Sequence, residues 1–243
     1  MNPLNPSFDS ADSPQDQTQA QIQAVPDRFA PADTDPFAAR PLADYLMEVC
    51  RDDGRHAVFL NTVSLLEHLG SRKIMVSQSG PAMGAATLQH LAEETRHAWF
   101  FRRAAEKAGG SPMGYLPGQI LSAPAAAMYL GRLDAAITRQ VGRRPPADAP
   151  AGFVPLAYLY VSSIVEVRAT WFFHLYQDIL LKSGAALNLK GVIAEEIGHL
   201  EDLTATLAVQ DPLYPQRFEE FKHLEARLFR RFLPQLLDQT ERR

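Results

Sequence analysis

One pattern occurs twice in this chain: a glutamate within an apolar helical run, then, about one hairpin further on, a glutamate followed three residues later by a histidine. The first copy is Glu67, in LNTVSLLEHLG, with Glu94 and His97, in HLAEETRHAWFF; the second is Glu166, in YVSSIVEVRATWFF, with Glu196 and His199, in GVIAEEIGHLEDL. Three residues make about one helical turn, so each Glu-x-x-His pair points to one side of its helix. Glu67 and Glu94 are 27 residues apart, and Glu166 and Glu196 are 30 apart. Either gap suits one antiparallel hairpin that brings both ligands to the same depth. Four carboxylates meeting in a bundle core repel one another and resist desolvation unless cations neutralise them. The pattern therefore predicts an all-α bundle built around a metal site.

Helical spacing of apolar residues begins near Pro41, with breaks marked by Gly and Pro. It predicts helices over 41–51 and 55–77, one after Ser79-Gly80-Pro81 that runs to 108, then 125–141, 153–182 and 187–209, and a last one after Pro215 to 237. The linker around Arg144-Pro145-Pro146 is long enough to cross the bundle. Residues 1–38 are rich in Pro, Gln, Asp, Ala and Ser and too thin in apolar side chains to form a core. They are expected to be a disordered tail, with a partner-binding arm as the alternative. Residues 39–243 make one bundle domain.

Composition removes other classes. The net charge of −4 supplies no phosphate-neutralising surface, which argues against a nucleic-acid partner. The single cysteine, Cys50, permits no internal disulfide and no multi-thiolate zinc site. No apolar run approaches the roughly 20 residues needed to cross a bilayer, and no signal sequence is legible, so the expected compartment is the cytoplasm.

The ordered set Glu, Glu-x-x-His, Glu, Glu-x-x-His on four long helices resembles the ferritin-like di-iron carboxylate superfamily, over roughly residues 55 to 210. The resemblance implies a four-helix bundle with a crossover helix and additional N- and C-terminal helices. It implies two iron ions, with manganese as the alternative, held by Glu67, Glu94, His97, Glu166, Glu196 and His199. Glu94 and Glu196 are the implied bridges, and Glu93 and Glu195 would each accept a hydrogen bond from a ligand histidine of the facing helix. A solvated position on the back of the helix is the alternative for these two acids.

The neighbours favour the oxygenase and desaturase branch of that superfamily. Thr170, four residues after Glu166, resembles the active-site threonine of multicomponent monooxygenases; the alternative is a hydroxyl bonded to its own i−4 carbonyl. Arg96 completes an E-E-x-R-H form, from which the second copy departs at Gly198. Phe101 stands where the radical-generating subunit of ribonucleotide reductase carries a tyrosine, which disfavours a stored tyrosyl radical. Trp99, Phe100, Phe101, Trp171, Phe172 and Phe173 either wall a substrate pocket or fill the core. His90 and His174 are each expected to be a partly exposed histidine without function, with a place lining a channel to the site as the alternative, and His56 and His68 have still less claim. The expected activity is an oxygen-dependent oxidation or hydroxylation of a small organic substrate. Its partners would be dioxygen, that substrate and an unknown electron donor, with a homodimer as the default assembly. An iron-handling ferroxidase without an organic substrate is the alternative.

Overall fold

The computed structural model describes residues 26–32, 36–78, 80, 83–143 and 155–237. They form seven helices and no strand: α1 Pro36–Val49, α2 Asp53–Ser77, α3 Ala85–Gly109, α4 Ala123–Arg143, α5 Leu156–Ser183, α6 Lys190–Gln210 and α7 Tyr214–Leu237. The class is all-α, a helical bundle with extra terminal helices. None of these helices is long and apolar enough to cross a membrane.

Local chemistry accounts for the ends. The Asp52 carboxylate accepts from the Arg55 amide at 2.8 Å and caps α2. Gly110 stops α3 in the left-handed region, at φ 67°, where a side chain is strained. Helix α1 starts at Pro36 rather than 41; a proline at the first helical position has no amide to lose, and Pro41 lies inside the helix.

Helix α2 packs along α3, and α5 along α6. Two apolar clusters hold these hairpins together. One joins Phe59 early in α2, Phe101 late in α3, Phe173 in α5 and Ile193 early in α6. The other joins Ile74 late in α2, Ile164 in α5 and Leu203 late in α6. Phe101 stacks on Phe173 with ring centroids 5.4 Å apart, which ties one hairpin to the other. All six predicted ligands lie at the level between the clusters, so apolar packing on either side fixes their depth. Helix α4 packs on α5 and α7, and a buried Arg168–Glu225 pair, 2.7 Å apart, locks α5 to α7.

One part of the expected tail is not a tail. Asp27–Phe29 forms a single 3-10 turn, and Phe29, 1% exposed, enters the second apolar cluster. One aromatic side chain provides enough apolar area to dock a segment that local composition marks as coreless. The remainder of residues 1–25, and the crossing linker 144–154, lie outside the described residues.

Candidate metal centre

The structure brings Glu67, Glu94, His97, Glu166, Glu196 and His199 together, each at most 8% exposed. They fall into two groups whose donor atoms lie within 4.8 Å of one another. One contains Glu67, Glu94, His97 and Glu196; the other contains His90, Glu94, Glu166 and His199. Glu94 belongs to both. Glu196 also spans them, with one oxygen 3.0 Å from His97 Nδ1 and the other 3.5 Å from His199 Nδ1.

His90 corrects the sequence reading. It is buried, with Nε2 3.2 Å from Glu166 and 3.5 Å from Glu94, and its ring lies 4.1 Å from that of His199. The available signal was its place one turn before Glu94, but that spacing alone does not reveal Glu166 waiting across the bundle. His174, spaced four residues from Thr170, goes the other way and bonds its own helix, with Nδ1 2.7 Å from the Thr170 carbonyl. His56 bonds the Tyr176 hydroxyl, and His68 stacks on Tyr115.

Around the centre the two halves reach across to each other. His97 Nε2 lies 2.7 Å from Glu195, and His199 Nε2 lies 2.8 Å from Glu93. A carboxylate at Nε2 holds the proton there and leaves the Nδ1 lone pair of each ring directed at the cluster. Arg96 braces Glu195 at 2.6 Å, whereas Glu93 is braced by Gln89 at 3.0 Å. Gly70 on α2 leaves room for Glu94, since a Cβ there would stand 3.2 Å from a Glu94 oxygen.

Without a cation the cluster is electrostatically frustrated. Burial, then the Glu94 and Glu196 charges, push the Glu67 carboxyl well above the usual carboxylate range. Burial and Glu196 do the same to Glu166. Burial also opposes the charge on Glu196, yet contacts with Glu166, His199 and His97 hold its carboxyl well below that range. Burial works against a protonated His199, but Glu196 and Glu93 override it and raise the imidazole to about 9. Close approach has not produced hydrogen bonding: Glu94 Oε1, both Glu196 oxygens and Nδ1 of His97 and His199 are buried without a hydrogen-bond partner among the described residues. Orphaned lone pairs that converge from carboxylates and imidazoles are the donor set a metal ion satisfies.

A cavity of about 510 Å³ borders the centre. Glu67, His90, Glu94 and Glu166 form part of its wall, and the rest is mainly apolar, including Leu66, Val165, Ala169 and Phe172. The aromatic run divides accordingly. Phe172 and Phe173 line the cavity, Phe101 is core, and Trp99 is 60% exposed. Thr170 is fully buried and is not a wall residue; its hydroxyl has no hydrogen-bond partner among the described residues, so it does not bond its own i−4 carbonyl.

Set against family models, curated proteins and solved structures, the chain matches none. Fold and site by themselves define an all-helical bundle with a buried His/Glu cluster able to hold a metal ion, compatible with a ferritin-like di-iron arrangement.

Proposed function

We propose that this chain is a ferritin-like non-haem di-iron oxidoreductase that uses dioxygen to oxidise or hydroxylate a small apolar organic molecule. The observation that carries this reading is the mainly apolar cavity with Glu67, His90, Glu94 and Glu166 in its wall. Such a wall lets an organic molecule lie against the metal-binding side chains, and the size falls in the range of small-molecule sites.

Glu67, His97 and one Glu196 oxygen would hold one ion, and His90, Glu166, His199 and the other Glu196 oxygen the second, with Glu94 shared. A bound iron pair supplies redox chemistry and orients dioxygen against the substrate. For hydroxylation the balance is R–H plus dioxygen, two electrons and two protons giving R–OH and water, with the electrons supplied by an external reductant. Glu93 and Glu195 keep the proton on Nε2 of His199 and His97, so that Nδ1 remains a donor. The Thr170 hydroxyl, one turn beyond Glu166, holds a proton that can be passed into the centre. A ferroxidase without an organic substrate is the competing reading, and the mainly apolar wall favours oxidation of an organic molecule over it.

Anaerobic loading with ferrous iron followed by oxygen tests the proposal. The expected result is two ions per chain and rapid oxidation, and an inert site would overturn it. Thr170→Val is expected to retain both ions while oxygen chemistry slows or uncouples from substrate; unchanged turnover would remove Thr170 from the mechanism.

A further inference from the structure

Helices α2 and α4 both line the cavity, yet α4 packs on α5 and α7 and hardly touches α2. Its anchors explain this. Leu133 and Ile137 enter the second apolar cluster with residues of α5, and Tyr129 stacks on Phe232 of α7 with ring centroids 5.1 Å apart. Two other α4 wall residues, Ala127 and Gly131, are exposed and too small to bridge a gap, and a Cβ added at Gly131 would meet nothing within 4 Å. On α2 the wall residues Arg72 and Val76 are exposed as well, Val76 by 69%. Elsewhere the wall is closed by buried side chains such as Leu42, Phe59, Phe173 and Leu233. Among the described residues the cavity therefore opens to solvent along the seam between α2 and α4.

An ion pair spans that seam. Lys73 Nζ on α2 lies 2.6 Å from Asp134 Oδ2 on α4, both side chains line the cavity, and they are 39% and 38% exposed. The two ends differ in freedom. Asp134 is short, and its other oxygen accepts from the Thr138 hydroxyl, one turn along α4, at 3.4 Å. Lys73 carries its charge on a flexible four-carbon stem, so it is the part that swings. A pair this exposed is weak and is screened by salt, so it opens readily. The opening stands close to the chemistry: Lys73 is six residues from Glu67, about 9 Å of helix, and one turn from Gly70, which backs on to Glu94.

We propose that the seam between α2 and α4 is where the organic substrate enters, and that the Lys73–Asp134 pair is a clasp that opens for each passage. The clasp closes behind a bound molecule as it does over the free cavity. It therefore sets how fast molecules exchange and not how tightly they are held. This inference concerns the regulation of the oxidoreductase site and rests on that reading for its chemistry, while passage itself requires no metal.

The test uses the full chain, metal-free and loaded with ferrous iron, and follows entry of the uncharged fluorescent dye prodan by stopped flow. Lys73→Met and Asp134→Ala are each expected to raise the association and dissociation rates together by about two- to fivefold and to leave the Kd unchanged. Exchanging the charges, Lys73→Asp with Asp134→Lys, is expected to return both rates towards the starting values. Added salt should speed entry into the unaltered chain and not into Asp134→Ala. Gly131→Trp is expected to slow entry, since a ring added there on α4 occupies open space in the seam. No saturable binding of the dye, rates indifferent to loss of the pair, a change in Kd carried by one rate alone, or unchanged entry in Gly131→Trp would each overturn the proposal. Rapid iron oxidation with dye entry indifferent to every variant counts against this portal alone; dye entry as expected beside an inert iron-loaded site counts against the oxidoreductase reading alone.

Discussion

The two hairpins carry the same three ligand types at nearly the same spacing, yet they are not equivalent. On α3, one turn before the ligand glutamate, stands His90; the matching position on α6 is Val192, which is buried in an apolar cluster. Two residues after the ligand glutamate, α3 has Arg96 and α6 has Gly198. One group of donors thus has two histidines, His90 and His199, and the other has one, His97. Duplicated geometry brings together two groups of side chains that could hold a metal ion, and the unmatched residues make the two groups differ. The richer imidazole position should favour a borderline divalent ion, and the carboxylate-rich one a harder ion.

The comparison breaks most severely at the residue both groups share. Glu94→Ala is expected to reduce ferrous iron from two ions per chain to none at micromolar concentration, read by equilibrium dialysis with metal analysis. Retention of both ions would remove Glu94 from the ligand set. His90→Ala should spare one position and loosen the other, so that a two-step binding isotherm keeps its first step and loses its second. Two unchanged steps would make His90 a bystander.

A smaller effect sharpens the outer partners. Arg96→Ala should weaken metal binding by only a few-fold, because Arg96 acts through Glu195 and is itself more than half exposed. The weakening should fall on the His97 position. Equal weakening of both positions would mean that Arg96 acts on the fold and not on one ring.

Acidity gives the smallest and most general prediction. In the metal-free chain His199 is raised from 6.5 to about 9, and His97 is raised as well, so a metal must displace protons to bind near neutrality. Apparent affinity for ferrous iron should rise from pH 6 towards 9, with proton release measurable by calorimetry in two buffers. The imidazolium contacts stabilise the metal-free fold fully below pH 6.5, and that contribution is lost as pH rises through about 9. Affinity that falls over this range would reverse the assignment.

The sequence made the bundle and the cluster legible for a physical reason. Helical periodicity, the Gly and Pro breaks, and glutamates within apolar runs are all local, and two hairpin-length gaps converted them into one place. What it hid depends on contacts between distant segments. His90 and His174 look alike locally, four residues from a residue of interest, and only the packing of α3 against α5 and α6 sends one into the centre. Phe29 sits among polar and proline residues, so no periodicity announces that it docks. The cavity has no sequence signature at all, since Leu66 and Val165 read as ordinary core until α4 and α7 are seen to roof a space between α2 and α5.

The central claim is that two cations share Glu94 and Glu196 between the hairpins. Anomalous diffraction from an iron-loaded crystal tests it directly. The account predicts two peaks about 3.5–4 Å apart, both touched by Glu94 and Glu196, one facing His97 Nδ1 and the other His199 Nδ1. A single peak, or ions held elsewhere with these carboxylates left unligated, would contradict it.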